Sequence, residues 1–364
     1  MEYKGIDVSK KSSADAAILI LENMSLEFHK TNDILNSKVN EIMDVFVKKN
    51  IPNEYKDVLY KSISNTLQPD PAVMQIEPQS EAEWQAVIAQ MDEGKVDNAH
   101  ALSDQLSVSV ENGEIEGVNV YHLTPAEVDS EHEDHLFVYV HGGAFVLNAG
   151  EAGLPEAILI AQRAKMRVLS VDYRMPPRYP APAGRDDVET VYRHLLKQRP
   201  ALSMALGGSS GGGNLIMGMV QHLIELDVDV PGALYLGTPG ADMSKTGDTY
   251  YMNDGVDRLL VTYDGLVEAA VRLYANGRDL KHPLVSPLYG DFHGFPPTLL
   301  VTGTRDLLLS ATARTHIKLR QAGVVADILV YEGISHGDYA VEAASPESQH
   351  AYAELNAFLT QHLK

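Results

Sequence analysis

The sequence predicts an α/β protein built on a mostly parallel sheet, preceded by a helical region. Three observations carry that expectation. After residue 100, short apolar runs alternate with helix-length stretches, the signature of a parallel sheet covered on both faces. Glycine is absent between Gly5 and Gly94, whereas the rest of the chain holds 27 of the 28 glycines. Glycine-rich turns also follow directly on several apolar runs, at the carboxyl ends of predicted strands, where open α/β sheets place their sites.

A long stretch without glycine suits helices, because glycine costs about 1 kcal/mol per residue inside them. Leu35, Val39, Ile42 and Phe46 recur at steps of four, three and four, which gives one apolar helical face. Pro52, Pro69, Pro71 and Pro78 divide the region into separate helices. Trp84, Val87, Ile88 and Met91 outline another amphipathic helix, read as an internal packing face. Residues 105–110 and 115–123 alternate as two strands around an Asn112-Gly113 turn. Six further strands are expected at 136–140, 168–171, 204–206, 233–236, 298–301 and 328–330, with helices over about 155–165, 186–198, 213–226, 310–322 and 346–362. The interval from Gly240 to Gly290 is too long for an ordinary connection, and 259–274 within it reads as helix, so an inserted lid element is expected there. The expected organisation is a helical cap or extension over 1–104 and an α/β domain over 105–364, with a cap insertion at about 240–290.

Charge narrows the partners. There are 29 Lys and Arg against 50 Asp and Glu, a net charge of −21, which repels nucleic-acid phosphates and anionic membrane surfaces. From Val96 to Gln162 there is no Lys or Arg but there are 12 acidic residues. The absence of cysteine removes disulfides, thiolate metal sites and cysteine nucleophiles together. The early apolar run 16–21 lies between Asp15 and Glu22 and is too short for a signal-peptide core or a membrane span, so a cytoplasmic location is expected. Without a secretion signal, the sequon Asn23-Met24-Ser25 is read as chance.

The segment Gly207-Gly208-Ser209-Ser210-Gly211-Gly212-Gly213-Asn214 lies between a predicted strand and a predicted helix. A G-x-S-x-G sequence there is a nucleophile elbow: glycines flank the serine because the turn is sharp. The G-K-[ST] of a phosphate loop and the glycine spacing of a dinucleotide site are both missing. Two registers fit, Ser209 between Gly207 and Gly211 or Ser210 between Gly208 and Gly212, and spacing does not choose. His141-Gly142-Gly143-Ala144-Phe145 follows the strand 136–140, where turning backbone can aim N–H groups at a developing oxyanion. Thr302-Gly303-Thr304-Arg305-Asp306 and Tyr331-Glu332-Gly333-Ile334-Ser335-His336 follow later strands. A serine, then an acid, then a histidine is the chain order of the α/β-hydrolase triad.

These motifs together resemble the hormone-sensitive-lipase family of α/β-hydrolase esterases over about 105–364; Asp172-Tyr173-Arg174-Met175-Pro176-Pro177, Pro180-Ala181-Pro182-Ala183 and Asp186-Asp187-Val188 match further family segments. The resemblance implies an α/β-hydrolase fold, a mostly parallel eight-stranded sheet with helices on both faces and a helical cap. It also chooses the serine: only Ser210 brings Gly212, Gly213, Asn214 and Leu215 into step with the family's elbow, including its Gly-Gly-Thr-Ser-Ala-Gly-Gly branch. Carried over, Ser210 is the nucleophile, Asp306 the acid and His336 the base, with the N–H groups of Gly143, Ala144 and Gly211 as the oxyanion hole. His141 organises the loop. Ala144 replaces a family glycine, and its donor survives if its φ is negative. Gly211 replaces a common alanine, Ser209 a usual Asp or Thr, and Ser310 a frequent second acid.

The implied activity is hydrolysis of short- to medium-chain carboxylic esters, without metal or cofactor. The alternatives are a lactone, amide or peptide hydrolase with the same triad, or a ligand-binding protein on a hydrolase scaffold. The expected partner is a small-molecule ester, with a homodimer through the N-terminal region as the oligomeric alternative. Glu131-His132-Glu133-Asp134-His135 could bind a metal on paper, but a charged loop is expected. Asp172, Arg174, Asp186 and Asp187 are expected in structural ion pairs or caps.

Overall fold

A computed structural model describes residues 71–364, together with a short antiparallel pair of strands, Glu2–Tyr3 and Ile6–Asp7. The chain divides into two compact units, Met1–Gln68 and Pro69–Lys364. The helical face of Leu35, Val39, Ile42 and Phe46, the run 16–21, the sequon at Asn23, and Pro52 and Pro69 lie outside the described residues.

The larger unit is organised by an eight-stranded sheet: β1 Val108–Ile115, β2 Val118–Pro125, β3 Leu136–Val140, β4 Val168–Asp172, β5 Met204–Ser209, β6 Ala233–Gly237, β7 Thr298–Gly303 and β8 Ala326–Tyr331. Their order across the sheet is β8-β7-β6-β5-β3-β4-β2-β1. Strands β3 to β8 run parallel, and β2 runs antiparallel to both β1 and β4. All five residues of β3 and of β6 are buried, because helices cover both faces. The helices are α1 Glu81–Met91, α2 Lys95–Leu106, α3 Pro155–Arg163, α4 Ala183–Leu196, α5 Gly211–Glu225, α6 Leu266–Ala275, α7 Leu309–Gln321 and α8 Pro346–His362.

The two-residue period of the strands divides the core. Val138, Leu206, Leu234 and Leu300 pack with Val188 and Val191 of α4 and Leu215 and Met219 of α5. Their strand neighbours Phe137, Tyr139, Ala205, Tyr235 and Val301 pack on the other side with Ile158 of α3 and Tyr352 and Leu355 of α8. Trp84 and Val87 of α1 belong to the first of these clusters. The Ser80 side chain caps α1 by accepting from the Glu83 N–H at 3.3 Å. The helices between residues 71 and 106 thus share one compact unit with the sheet.

Two sequence expectations are corrected. The β1–β2 hairpin turns at Glu116-Gly117, with φ of 51° and 84°, and not at Asn112-Gly113. Asn-Gly is the better suited of the two to a turn needing two positive φ values, but a turn at 116–117 pairs all eight residues of each strand, Val108 with Pro125 through Ile115 with Val118. Earlier turning would leave only 108–111 to form the first strand. Within the insertion, helix covers Leu266–Ala275 and a single turn Thr249–Met252, not 259–274. The Asp257 carboxylate takes the N–H groups of Leu259 (2.9 Å) and Leu260 (3.1 Å), a local turn that competes with helix. Val261 at φ 59° and Gly265 at φ 94° then interrupt the helical path. Among the described residues, no helix is long and apolar enough to cross a membrane.

Trp84 is the chain's single tryptophan and only 4% exposed. Trp84→Ala is expected to destabilise the larger unit by about 3–5 kcal/mol, read from urea unfolding. A loss below about 1 kcal/mol would place α1 outside the core.

Candidate active site

The motif-bearing loops all leave the carboxyl ends of parallel strands. Loop 141–148 follows β3, Ser210 follows β5, Asp306 follows β7 and His336 follows β8. Ser210 joins β5 to α5 at φ 56° and ψ −119°, a sparsely populated backbone region. Its N–H donates to the Gly237 carbonyl at 2.9 Å, and its carbonyl accepts from Gly240 at 2.9 Å. A Cβ at either Gly208 or Gly212 would collide with the Val140 carbonyl oxygen, so both positions flanking Ser210 exclude a side chain. Ser209 differs. It ends β5, is buried, and its hydroxyl donates to Glu156 Oε1 at 2.7 Å. Asn214 Nδ2 donates to the carbonyls of Gly240 (2.6 Å) and Val285 (2.8 Å), tying α5 to the insertion.

The loop after β3 packs against this turn: a Cβ on Gly142 would lie 3.2 Å from Ser210 Cβ. His141 is buried, stacks on Tyr173 with ring centroids 4.3 Å apart, and its Nδ1–H donates to the Gly142 carbonyl at 2.8 Å. Burial lowers its pKa below the usual imidazole value. Asn148 braces the loop, its N–H donating to Asp92 at 2.9 Å and its Nδ2 to the Gly142 carbonyl at 3.1 Å. Lys95 joins the brace through Asn148 Oδ1 at 2.6 Å. The negative φ expected of Ala144 is corrected: it sits at 49°, followed by Phe145 at 69°, yet its N–H, which no value of φ removes, remains a donor. That conformation costs about 1–2 kcal/mol for an L-residue. The stacking of the buried Phe145 ring on Tyr274, centroids 3.9 Å apart, offsets part of it. Among the described residues, the N–H groups of Gly143 and Ala144 meet no acceptor, and that of Gly211 opens α5, where helix N–H groups are free of intrahelical partners.

Asp306 and His336 meet directly, with His336 Nδ1 3.0 Å from Asp306 Oδ1 and both residues buried. Asp306 Oδ2 accepts from Thr302 Oγ1 at 2.7 Å and from Thr238 Oγ1, while Oδ1 accepts from the Leu308 N–H at 2.8 Å. Burial alone would raise the Asp306 carboxyl, but the His336 charge and these donors hold it below the usual carboxylate value. Burial alone would lower His336, but the charge and hydrogen bond of Asp306, with Asp257 and Asp338 behind, raise it above the usual imidazole value.

Sequence reasoning missed the residues that brace these loops. Thr238 Oγ1 lies 2.9 Å from His336 Nδ1. Asp257 Oδ2 accepts from the Leu307 N–H at 2.9 Å, beside Asp306, and burial with the Asp306 charge pushes its carboxyl up to about 6. Asn253 Nδ2 donates to the Asp306 carbonyl at 2.8 Å, and the Arg258 N–H donates to Ser335 Oγ at 3.1 Å. The insertion therefore fastens both the acid loop and the histidine loop. No local motif marks these residues, because each is a single polar side chain far along the chain from its partner.

Among the described residues, Asp257, Asp306 and His336 are the only three whose potential ligand atoms lie within 4.8 Å of one another. Those atoms already accept from or donate to neighbouring groups. In the Glu131–His135 run, His132 is buried, with Nδ1 3.0 Å from His135 Nδ1 and Nε2 2.9 Å from Asn356 of α8. Arg174 forms a two-pronged pair with Asp187, at 2.7 Å and 2.9 Å, and Arg185 pairs with Asp186 at 2.6 Å. Asp172 accepts from the Gly150 N–H at 2.9 Å.

Comparison with known proteins places the fold in a family. Residues 137–340 match the family described as alpha/beta hydrolase fold. An esterase of Acinetobacter venetianus is 32% identical over 231 residues, covering 62% of this chain and 74% of that protein. A crystal structure of an esterase superposes with a TM-score of 0.83 at 71% identity, covering 86% of this chain and 96% of that one. A crystal structure of an esterase from the bacterial hormone-sensitive lipase family superposes at 0.66 with 27% identity, covering 79% of this chain and all of the other. The chain belongs to the α/β-hydrolase family, among its bacterial hormone-sensitive-lipase esterases.

Proposed function

We propose that the chain hydrolyses short- to medium-chain carboxylic esters with Ser210 as nucleophile, His336 as general base and acid, and Asp306 as the carboxylate that orients His336. The observation that carries this reading is the turn at Ser210, held at φ 56° between Gly208 and Gly212, which admit no side chain, at the same carboxyl end of the strands as the Asp306–His336 pair. With Nδ1 engaged by Asp306, Nε2 is the nitrogen left to exchange protons.

In the first half-reaction, Nε2 removes the Ser210 proton as Oγ attacks the ester carbonyl carbon. The carbonyl oxygen becomes an oxyanion, stabilised by the N–H groups of Gly143, Ala144 and Gly211. The imidazolium then gives its proton to the departing alkoxide, leaving an acyl-serine and a free alcohol. In the second half, His336 takes a proton from water, the hydroxide attacks the acyl carbon, and the carboxylic acid leaves as Ser210 regains its proton. Asp306 stays ionised throughout, which its lowered pKa favours, and stabilises each imidazolium.

Ser210→Ala is expected to lower p-nitrophenyl ester turnover by at least about 10⁴-fold, whereas Ser209→Ala lowers it roughly tenfold or less, for one lost hydrogen bond. The reverse ranking would assign the nucleophile to Ser209. The acidic limb of kcat/KM reports neutral His336, so activity falls as pH drops through a value above the usual imidazole pKa. Asp306→Asn should lower kcat by about 10⁴-fold and move that limb to lower pH, because the amide no longer favours the imidazolium. An unmoved limb would separate Asp306 from His336.

A further inference from the structure

The carboxylate of Glu156, in the first turn of α3, takes no part in the reaction above yet lies beneath it. Glu156 is 7% exposed. Its Oε1 accepts from the hydroxyls of Ser209 at 2.7 Å and Tyr235 at 2.8 Å, and its Oε2 from Tyr139 at 2.9 Å. The hydroxyl oxygens of Tyr235 and Tyr339 are 2.9 Å apart, and Ser209 Oγ lies 3.4 Å from Tyr339. Ser209 immediately precedes Ser210, and Tyr339 follows His336 in the same loop and short helix. One carboxylate therefore reaches both reacting segments, directly or through a single tyrosine hydroxyl.

The sheet is shaped to admit this cluster. A Cβ at Gly237 would collide with Ser209 Oγ and the hydroxyls of Tyr235 and Tyr339, and one at Gly207 would collide with the Phe137 ring. Apolar residues would have served for packing alone. Burial raises the Glu156 carboxyl above the usual value, while the Ser209, Tyr235 and Tyr139 hydroxyls and a charged His336 favour its ionised form, so it is a group kept for its bonds and for a charge that His336 stabilises.

Resting on the reading of Ser210 and His336 given above, we propose that Glu156 is a positioning residue of the active centre: its carboxylate holds Ser209 and, through Tyr235, Tyr339, fixing the serine turn against the histidine loop, and its charge supports the His336 imidazolium. Around His336 the other ionisable groups are Asp306, Asp257 and Asp338, the last paired with Arg258 of the insertion at 2.6 Å. Arg258 also pairs with Glu342 at 2.8 Å. The charges of Glu156 and of Arg163 of α3 both act on Tyr352 of α8, and the Arg163 guanidinium lies 5.8 Å from the Tyr352 ring centre.

The test is Glu156→Gln, which keeps the shape and removes the charge, beside Tyr339→Phe, which keeps the charge and removes one link. Glu156→Gln should lower kcat for a p-nitrophenyl ester about 10- to 100-fold, leave KM within about twofold, and move the acidic limb of kcat/KM to lower pH. Tyr339→Phe should lower kcat about 3- to 10-fold and leave the limb in place. A residue needed only for packing would shift thermal stability and not the limb. Wild-type kcat and limb in folded Glu156→Gln, with Ser210→Ala inactive, would overturn the role of Glu156 and leave the serine reading standing. Should Glu156→Gln fail to fold, wild-type kcat in Tyr339→Phe would overturn it. An active Ser210→Ala would instead remove the reading on which it rests.

Discussion

The proposed active centre depends on one close approach of backbone to backbone. The carbonyl oxygen of Val140, the last residue of β3, occupies the space where residues 208 and 212 would otherwise carry a Cβ. Strands β3 and β5 are neighbours in the sheet, so that contact is set by the strand order itself. It allows the chain to leave β5 in a tight turn with Ser210 at φ 56°. The residue after Val140 is His141, which opens the proposed oxyanion loop. The serine turn and that loop are consequently built on the same few atoms. A side chain at Gly208 or Gly212 would disturb both.

Around that contact, polar groups from distant elements hold the movable parts. The acid and histidine loops are fastened from the insertion by Asn253, Asp257 and Arg258. The proposed oxyanion loop is fastened by Asp92, which follows α1, and Lys95, the first residue of α2. The acidic stretch from Val96 to Gln162 resolves into different tasks. Glu116 pairs with His194 at 2.9 Å and Glu151 with His100 at 2.9 Å, whereas Glu156 is buried beneath the serine turn. The acidic residues of this stretch are thus partly exposed and partly internal.

Much of the sheet was legible because its strands are buried on both faces and read as continuous apolar runs, as in Leu136–Val140 and Ala233–Gly237. The hairpin turn was misplaced because Asn112-Gly113 carries the stronger local signal, and strand pairing overrides it in favour of Glu116-Gly117. The helix expected at 259–274 was shortened by a side-chain turn at Asp257 and a positive φ at Val261, neither visible as apolar periodicity. The serine motif was legible, but its two registers were equivalent by spacing. In three dimensions Ser209 spends its hydroxyl on Glu156, while Ser210 stands at the turn. Thr238, Asp257 and Glu156 had no local signal at all, since their partners lie elsewhere in the chain, 53 residues away for Glu156 and Ser209.

The central claim is that Ser210 is the nucleophile and that it is activated in the folded protein. Its most direct measurement is peptide mapping of the covalent adduct formed with a fluorophosphonate ester, by mass spectrometry. The account predicts a single phosphonylated serine at Ser210, formed at a rate that rises with pH through the His336 titration. An adduct at Ser209, or no adduct on the folded protein, would contradict it.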